Sequence, residues 1–229
     1  MDLGLNIAAA GMVAEQVQQD QLANDLANVQ TPGYKPASTE QSSFGALLLA
    51  NTSNGAAVGT ILTGVEARKG PTDLVQGTLN HTGRPLDFAI AGAGFFAVRT
   101  PAGIQYTRNG QFSLNSAGLL VDGAGDTVLG QAGAPIRVGA AGTVPAGALG
   151  VFAVTNPSQL GNNNFSGVAA GRGTGSVLSG ELEASAVDSI QTYTHMQSNL
   201  NAYQAGQQSI SVIGQSLAES AASVGLVNP

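Results

Sequence analysis

The sequence predicts an α+β protein whose N- and C-terminal α-helices pack together as an assembly layer, with a central all-β domain between them in the chain. Three observations predict it. Apolar residues recur at helical spacing at both ends. Short β-prone runs separated by Gly, Pro and Asn fill the middle. All eight Lys and Arg lie between Lys35 and Arg172, so any pairing of the first helix with the last is expected to rest on apolar contact rather than on salt bridges. The resulting division is a helix and turn over 1–35, an extended or flexible connection over 36–71, a β domain over 72–182 and a helix over 183–229.

Leu5, Ala8, Met12, Gln19, Leu22, Leu26 and Val29 follow one another at steps of three, four or seven, which lines them up along a helix from about Leu3 to Asn28. Thr31, Pro32 and Gly33 end it, because Pro cannot continue the hydrogen-bond ladder and Gly accepts the positive φ of a turn. Its first residues have no basic leader and fall short of the roughly 20 apolar residues of a membrane span. The connection holds an apolar run at Phe44 to Ala50, then a flexible loop over Asn51 to Gly59.

Candidate strands follow at Phe88 to Ile90, Phe95 to Arg99, Gln105 to Arg108, Phe112 to Leu114, Leu119 to Val121, Thr127 to Leu129, Ile136 to Val138 and Leu149 to Thr155. Turns at Pro101-Ala102-Gly103, Asn109-Gly110, Ser116-Ala117-Gly118 and Gly123-Ala124-Gly125 suggest a meander. Gly130 to Gly150 and Gly161 to Gly175 read as extended loops. Ser185 and Asp188 give a Ser-x-x-Asp helix start. Beyond it Met196, Tyr203, Ile210 and Leu217 stand seven apart, with Ile190, Tyr193, Leu200 and Ile213 assigned to the same face. Gly206 and Gly214 each cost about 1 kcal/mol relative to Ala, so this helix needs a partner to be stable.

Composition narrows the function. Charged residues make up 10% of the 229 residues, Gly numbers 32 and net charge is −6. Much of the surface is therefore Ser, Asn, Gln, Thr or backbone, which suits close contact with copies of itself. The two ends carry eight acids and no base. The bases in the middle are scattered singly, which excludes a nucleic-acid groove. With no cysteine, disulfides and thiol chemistry are excluded.

Catalytic constellations are missing too. Gly92-Ala93-Gly94 fits a loose dinucleotide fingerprint, but β-prone Phe95 to Arg99 follow where that motif needs a helix. His81 and His195 have no ligand at metal spacing, so neither a metal, a cofactor nor a small-molecule substrate is expected. Glu181 and Glu183 read as a solvated acidic lead-in to the last helix. The weighed alternative is a secreted β-rich adhesin. It calls for an exposed aromatic cluster, yet Trp is absent and Tyr106 is the one Tyr in the β segment.

Ala23-Asn24-Asp25-Leu26-Ala27-Asn28-Val29-Gln30-Thr31-Pro32-Gly33-Tyr34-Lys35 closely resembles the signature ending the first helix of the bacterial flagellar axial proteins, the rod and hook family. Three further runs match in the family's order. They are Thr82 to Ile90 continuing into Gly94 to Val98, Tyr106 to Gly110 with Gly118 to Val121, and Ser179 to Ser185 leading to Ala202-Tyr203. Length argues against the hook subunit. Gly83-Arg84-Pro85-Leu86-Asp87 and Val128-Leu129-Gly130 with Ala134-Pro135-Ile136 look most like the proximal rod protein, with the distal rod protein next.

The resemblance implies a structural subunit of the periplasm-spanning basal-body rod, exported by the flagellar type III apparatus without a cleaved signal peptide. Its implied partners are copies of itself and other axial proteins, and its implied work is carrying torque to the hook. Leu5, Met12, Leu22, Asn24, Leu26, Asn28, Met196, Leu200, Tyr203, Ile210 and Leu217 are the expected assembly residues. Thr31, Pro32 and Gly33 are the expected turn.

Overall fold

The computed structural model describes residues 2–50, 57–139 and 142–225, and these belong to two compact units. The first comprises Met1–Leu26, Ser38–Gly70 and Ser189–Pro229, and the second comprises Ala27–Ala37 and Pro71–Asp188.

The first unit holds both long helices, α1 (Asp2–Ala27) and α2 (Ser189–Gly225), with a two-stranded sheet of β1 (Ala37–Ala50) and β2 (Ala57–Thr72). Ala37–Ala50 and Ala57–Thr72 are thus extended, as one of the two expected forms of this connection, and are paired with each other. Of the loop expected over Asn51 to Gly59, residues 51–56 lie outside the described residues, and Ala57 already begins β2. The last helix starts at Ser189, four residues beyond the Ser expected to cap it. Ser185 Oγ instead accepts the Val187 N–H at 3.3 Å, a local turn that competes with helix geometry.

The second unit contains β3 (Leu79–His81), β4 (Phe88–Ala91), β5 (Phe96–Thr100), β6 (Gly103–Thr107), β7 (Ser113–Leu114), β8 (Leu120–Val121), β9 (Thr127–Leu129), β10 (Phe152–Gln159), β11 (Asn164–Arg172), β12 (Ser176–Ser179) and β13 (Glu181–Glu183). Seven of them form one sheet in the order β10-β11-β6-β5-β9-β8-β7, while β12 pairs with β4 and β13 with β3. The expected meander holds only in pieces, β5–β6, β7–β8–β9 and β10–β11, because β9 returns to pair with β5 and β11 pairs with β6. Gly161 to Gly175 is a correction, since β11 runs through it against β10 and β6. Asn162 and Asn163, at φ 59° and 60°, make the tight turn between β10 and β11, a backbone region that Asn tolerates better than most residues. Ile136 to Val138 gives only one isolated bridge, Leu119 with Arg137, next to that of Leu129 with Pro135.

Alternation along the strands sends Phe88, Ile90, Phe96, Val98, Phe112, Leu120 and Val128 into one core, and Phe95, Ala97, Tyr106, Leu129 and Phe165 into a second. Phe96 meets Phe112 edge to face at 5.3 Å, the arrangement that suits aromatic quadrupoles. A side chain on Gly110 would run into the Phe88 carbonyl. That close approach explains the Gly in the Asn109-Gly110 turn.

Candidate assembly interface

The residues expected to drive assembly fall in two arrangements of side chains, one in each unit. In the helical unit, Leu5, Met12, Leu22 and Leu26 of α1 are half-buried, as are Met196, Tyr203, Ile210 and Leu217 of α2. On α2 the less exposed residues run 192, 196, 199, 203, 206, 210, 213 and 217, alternating steps of four and three as a helix-pairing seam does. Ile213 keeps its expected place. Ile190, Tyr193 and Leu200 do not, being 79%, 55% and 41% exposed, and Asn199 and Gly206 occupy the seam instead.

Those two residues show how the helices meet. Asn199, 5% exposed, donates from Nδ2 to Glu15 Oε2 at 2.6 Å. A Cβ on Gly206 would lie 2.8 Å from Met12 Cγ, so the absent side chain makes room for the methionine. Helix pairing therefore includes a charge-assisted hydrogen bond that the absence of bases did not suggest. Apolar periodicity could not register Asn199 or Gly206, since neither is apolar.

In the β unit, the chain reversal after α1 is built as the sequence predicts and then anchored by charge. Thr31 Oγ1 donates to Asn28 Oδ1 at 3.2 Å and Tyr34 N–H to the Thr31 carbonyl at 3.2 Å. Gly33 sits at φ 65°, and its N–H reaches the Glu183 carbonyl at 2.8 Å. Asn163 Nδ2 donates to the Pro32 carbonyl at 3.0 Å. The Ala186 N–H donates to the Tyr34 carbonyl at 3.0 Å. The turn is thereby joined to the segment leading into the last helix. Asn24 is exposed at the end of α1, and Asn28 is half-buried.

Glu183 is the centre of this junction. It is 1% exposed, which corrects its reading as part of a solvated lead-in. Lys35 Nζ donates to Glu183 Oε1 at 2.5 Å and to the Val75 carbonyl at 2.5 Å. Arg108 Nη1 reaches Glu183 Oε2 at 3.1 Å, and the Gly77 N–H reaches Oε1 at 2.9 Å. Arg108 also donates from Nη2 to the Gly92 carbonyl at 2.8 Å and lies 5.3 Å from the centre of the Phe95 ring. Burial pulls the Lys35 ammonium below the ordinary lysine range, against the opposing attraction of Glu183.

Lys35, Arg108 and Glu183 each stand inside one of the matched runs. Their meeting could not be read from the sequence, because 148 and 75 residues separate Glu183 from the two bases. The signal available was their rarity in a chain with so few charges. His81 and His195 are both exposed. Among the described residues no group of three or more His, Cys, Asp or Glu converges.

Comparison with known proteins identifies the family. The family profile for flagella basal body rod protein matches residues 5–35, which span α1 and the anchored turn. The profile for the flagellar hook protein FlgE/F/G D1 domain matches residues 89–153, within the β unit. The flagellar basal-body rod protein FlgG of Bacillus subtilis is 30% identical across 82% of this chain and 86% of its own length. FlgF of Caulobacter vibrioides is 33% identical across 70% of this chain and 68% of its own. The hook protein FlgE of Brucella abortus is 35% identical over 68% of this chain but only 37% of its own length. Two profiles, one over α1 and the turn and one within the β unit, together with rod relatives aligned along most of the chain, place it with structural rather than enzymatic proteins: it belongs to the flagellar rod and hook axial family, as a structural subunit of the basal-body rod.

Proposed function

We propose that this subunit polymerises head to tail into an open helical tube whose wall is made by α1 and α2, and that the tube carries torque and encloses the export channel. Contacts whose rotation does not close a ring require two different complementary patches on each copy. The observation that carries this reading is the apolar surface left on the helical unit. Val13, Ile190, Tyr193, Leu200 and Val212 are 41% to 79% exposed, while the seam between the helices is already occupied. Such residues on one helix pair are suited to burial against neighbouring copies.

In this wall Leu5, Met12, Leu22, Leu26, Met196, Tyr203, Ile210 and Leu217 hold the two helices of one copy together. Leu200 faces the next copy. Asn24 and Asn28 fix the end of α1. Leu26→Asp and Leu200→Asp are expected to abolish incorporation into basal bodies and swimming, with the β unit still folded by circular dichroism and proteolysis. Normal motility of either mutant would remove these residues from the wall.

The Gly83-Arg84-Pro85-Leu86-Asp87 run supports a proximal position in the rod. Alignment with FlgG along most of the chain supports a distal one. Cross-linking in isolated basal bodies separates them, since a proximal subunit joins motor-side neighbours and a distal one joins hook-side neighbours. Export by the flagellar type III apparatus is the route we assign. Secretion of the full chain from cells lacking that apparatus would refute it.

A further inference from the structure

The β unit carries a cleft of about 410 Å³ whose walls include Leu74, Phe95 and Val154 and whose cationic groups are Arg108 and Arg172. Arg108 is 5% exposed. Its two terminal nitrogens are bound, but its buried Nε has no hydrogen-bond partner. Arg172, the last residue of β11, is exposed, and its side chain makes no ion pair or hydrogen bond among the described residues. Gln76, also in the cleft, is committed at both ends, to the Ile90 carbonyl and the Gly92 N–H. Arg172 has its whole fork of donors open at this largely apolar cleft, which suits a carboxylate, while the Arg108 guanidinium behind it is already held by Glu183 and the Gly92 carbonyl.

The same unit offers such a group elsewhere. Between β8 and β9, Asp122 Oδ1 accepts the N–H groups of Ala124 at 2.9 Å and Asp126 at 2.8 Å, which stiffens a turn whose tip, Gly123 to Gly125, is exposed. The Asp126 carboxylate has no hydrogen-bond partner among the described residues. Arg99, next to the turn through its pairing with Thr127, directs its guanidinium to the Gly133 carbonyl at 3.4 Å. Cleft and turn lie toward opposite ends of β5. Phe95, in the cleft wall, precedes its first residue, while the turn runs into Thr127, which pairs with Arg99 near its last. One copy's turn therefore cannot fill its own cleft, and the two patches are complementary between copies.

We propose that the Arg108 and Arg172 cleft receives the Asp122–Asp126 turn of a second copy of this chain, joining β units head to tail. This rests on the polymerisation reading above and adds a specific lateral contact to it. One exposed charge pair is weak, but repetition along a polymer makes many weak contacts act together.

The absence of cysteine makes the test clean. Full-length chains carrying Thr174→Cys and Ala124→Cys separately, co-expressed in flagellated cells and oxidised in isolated basal bodies, are expected to form a disulfide-linked pair only when both are present. Adding Arg172→Glu to the Thr174→Cys chain should cut the yield about tenfold. Adding Asp126→Lys to the other chain should restore it, which a merely misfolded Arg172 variant could not show. Incorporation without the linked pair, or a yield indifferent to Arg172→Glu, overturns the contact and leaves the rod assignment standing. Failure of the unsubstituted chain to enter basal bodies overturns both.

Discussion

Glu183 is the residue on which the second unit turns. It holds two buried cations, so its loss leaves Lys35 and Arg108 facing each other with only the weaker influence of Asp73 on Lys35. Removing one member of a buried ionic cluster in this way costs about 3–5 kcal/mol. Glu183→Ala is therefore expected to lose roughly that much stability in urea unfolding, and Lys35→Met less, because Glu183 keeps Arg108. Equal losses would mean that the carboxylate is not the centre. Asp126 supplies a pH-dependent counterpart. Burial first, and Asp122 second, push its carboxyl above the ordinary range. A carboxyl with a raised folded pKa contributes stability below its unfolded pKa and loses it as pH rises through the folded value. Asp126→Asn should therefore melt above the parent at pH 7, with the difference vanishing toward pH 3 in thermal scans. The same substitution should weaken contact between copies.

Among the elements, the chain reversal over Asn28 to Lys35 is the one whose sequence and structure agree most closely, since Pro32 and Gly33 encode the turn locally. What the sequence left open was its destination. Gly33 needs both its positive φ and its missing side chain, because a Cβ there would strike the Arg108 backbone. Gly33→Ala is expected to cost at least about 1–3 kcal/mol through backbone strain alone, read as a lower urea midpoint of the β unit. An unchanged midpoint would mean the turn adapts freely. The helices were legible from periodicity, as were most strands between β4 and β9. β11 was not, because its Gly- and Ala-rich sequence has weak strand preference and is held by β10 and β6 rather than by its own residues. The β1 and β2 pair was missed for a related reason. A strand of mixed polar, apolar and Gly residues declares itself only when a partner strand supplies its hydrogen bonds.

At the scale of the whole molecule, the chain crosses between the two units four times, and the turn after α1 belongs with the β unit. Limited proteolysis should respect that division. A Glu-specific protease or chymotrypsin is expected to remove α1 and α2 from the free monomer first. The resistant product should contain 71–188 with the 27–37 segment still bound through Glu183. Release of that segment together with α1 would contradict the anchored junction. By itself the sequence determined the helical ends, the turn, the β character of the middle and the family, because each of these is written in local periodicity, turn chemistry or contiguous motifs. Only the tertiary structure decided that Lys35, Arg108 and Glu183 meet, that Asn199 rather than Leu200 enters the helix seam, and that a cationic cleft and an acidic turn lie toward opposite ends of β5. These depend on contacts between residues far apart in the chain, whose energies arise only when burial removes water from charges and apolar groups that the sequence alone leaves separate.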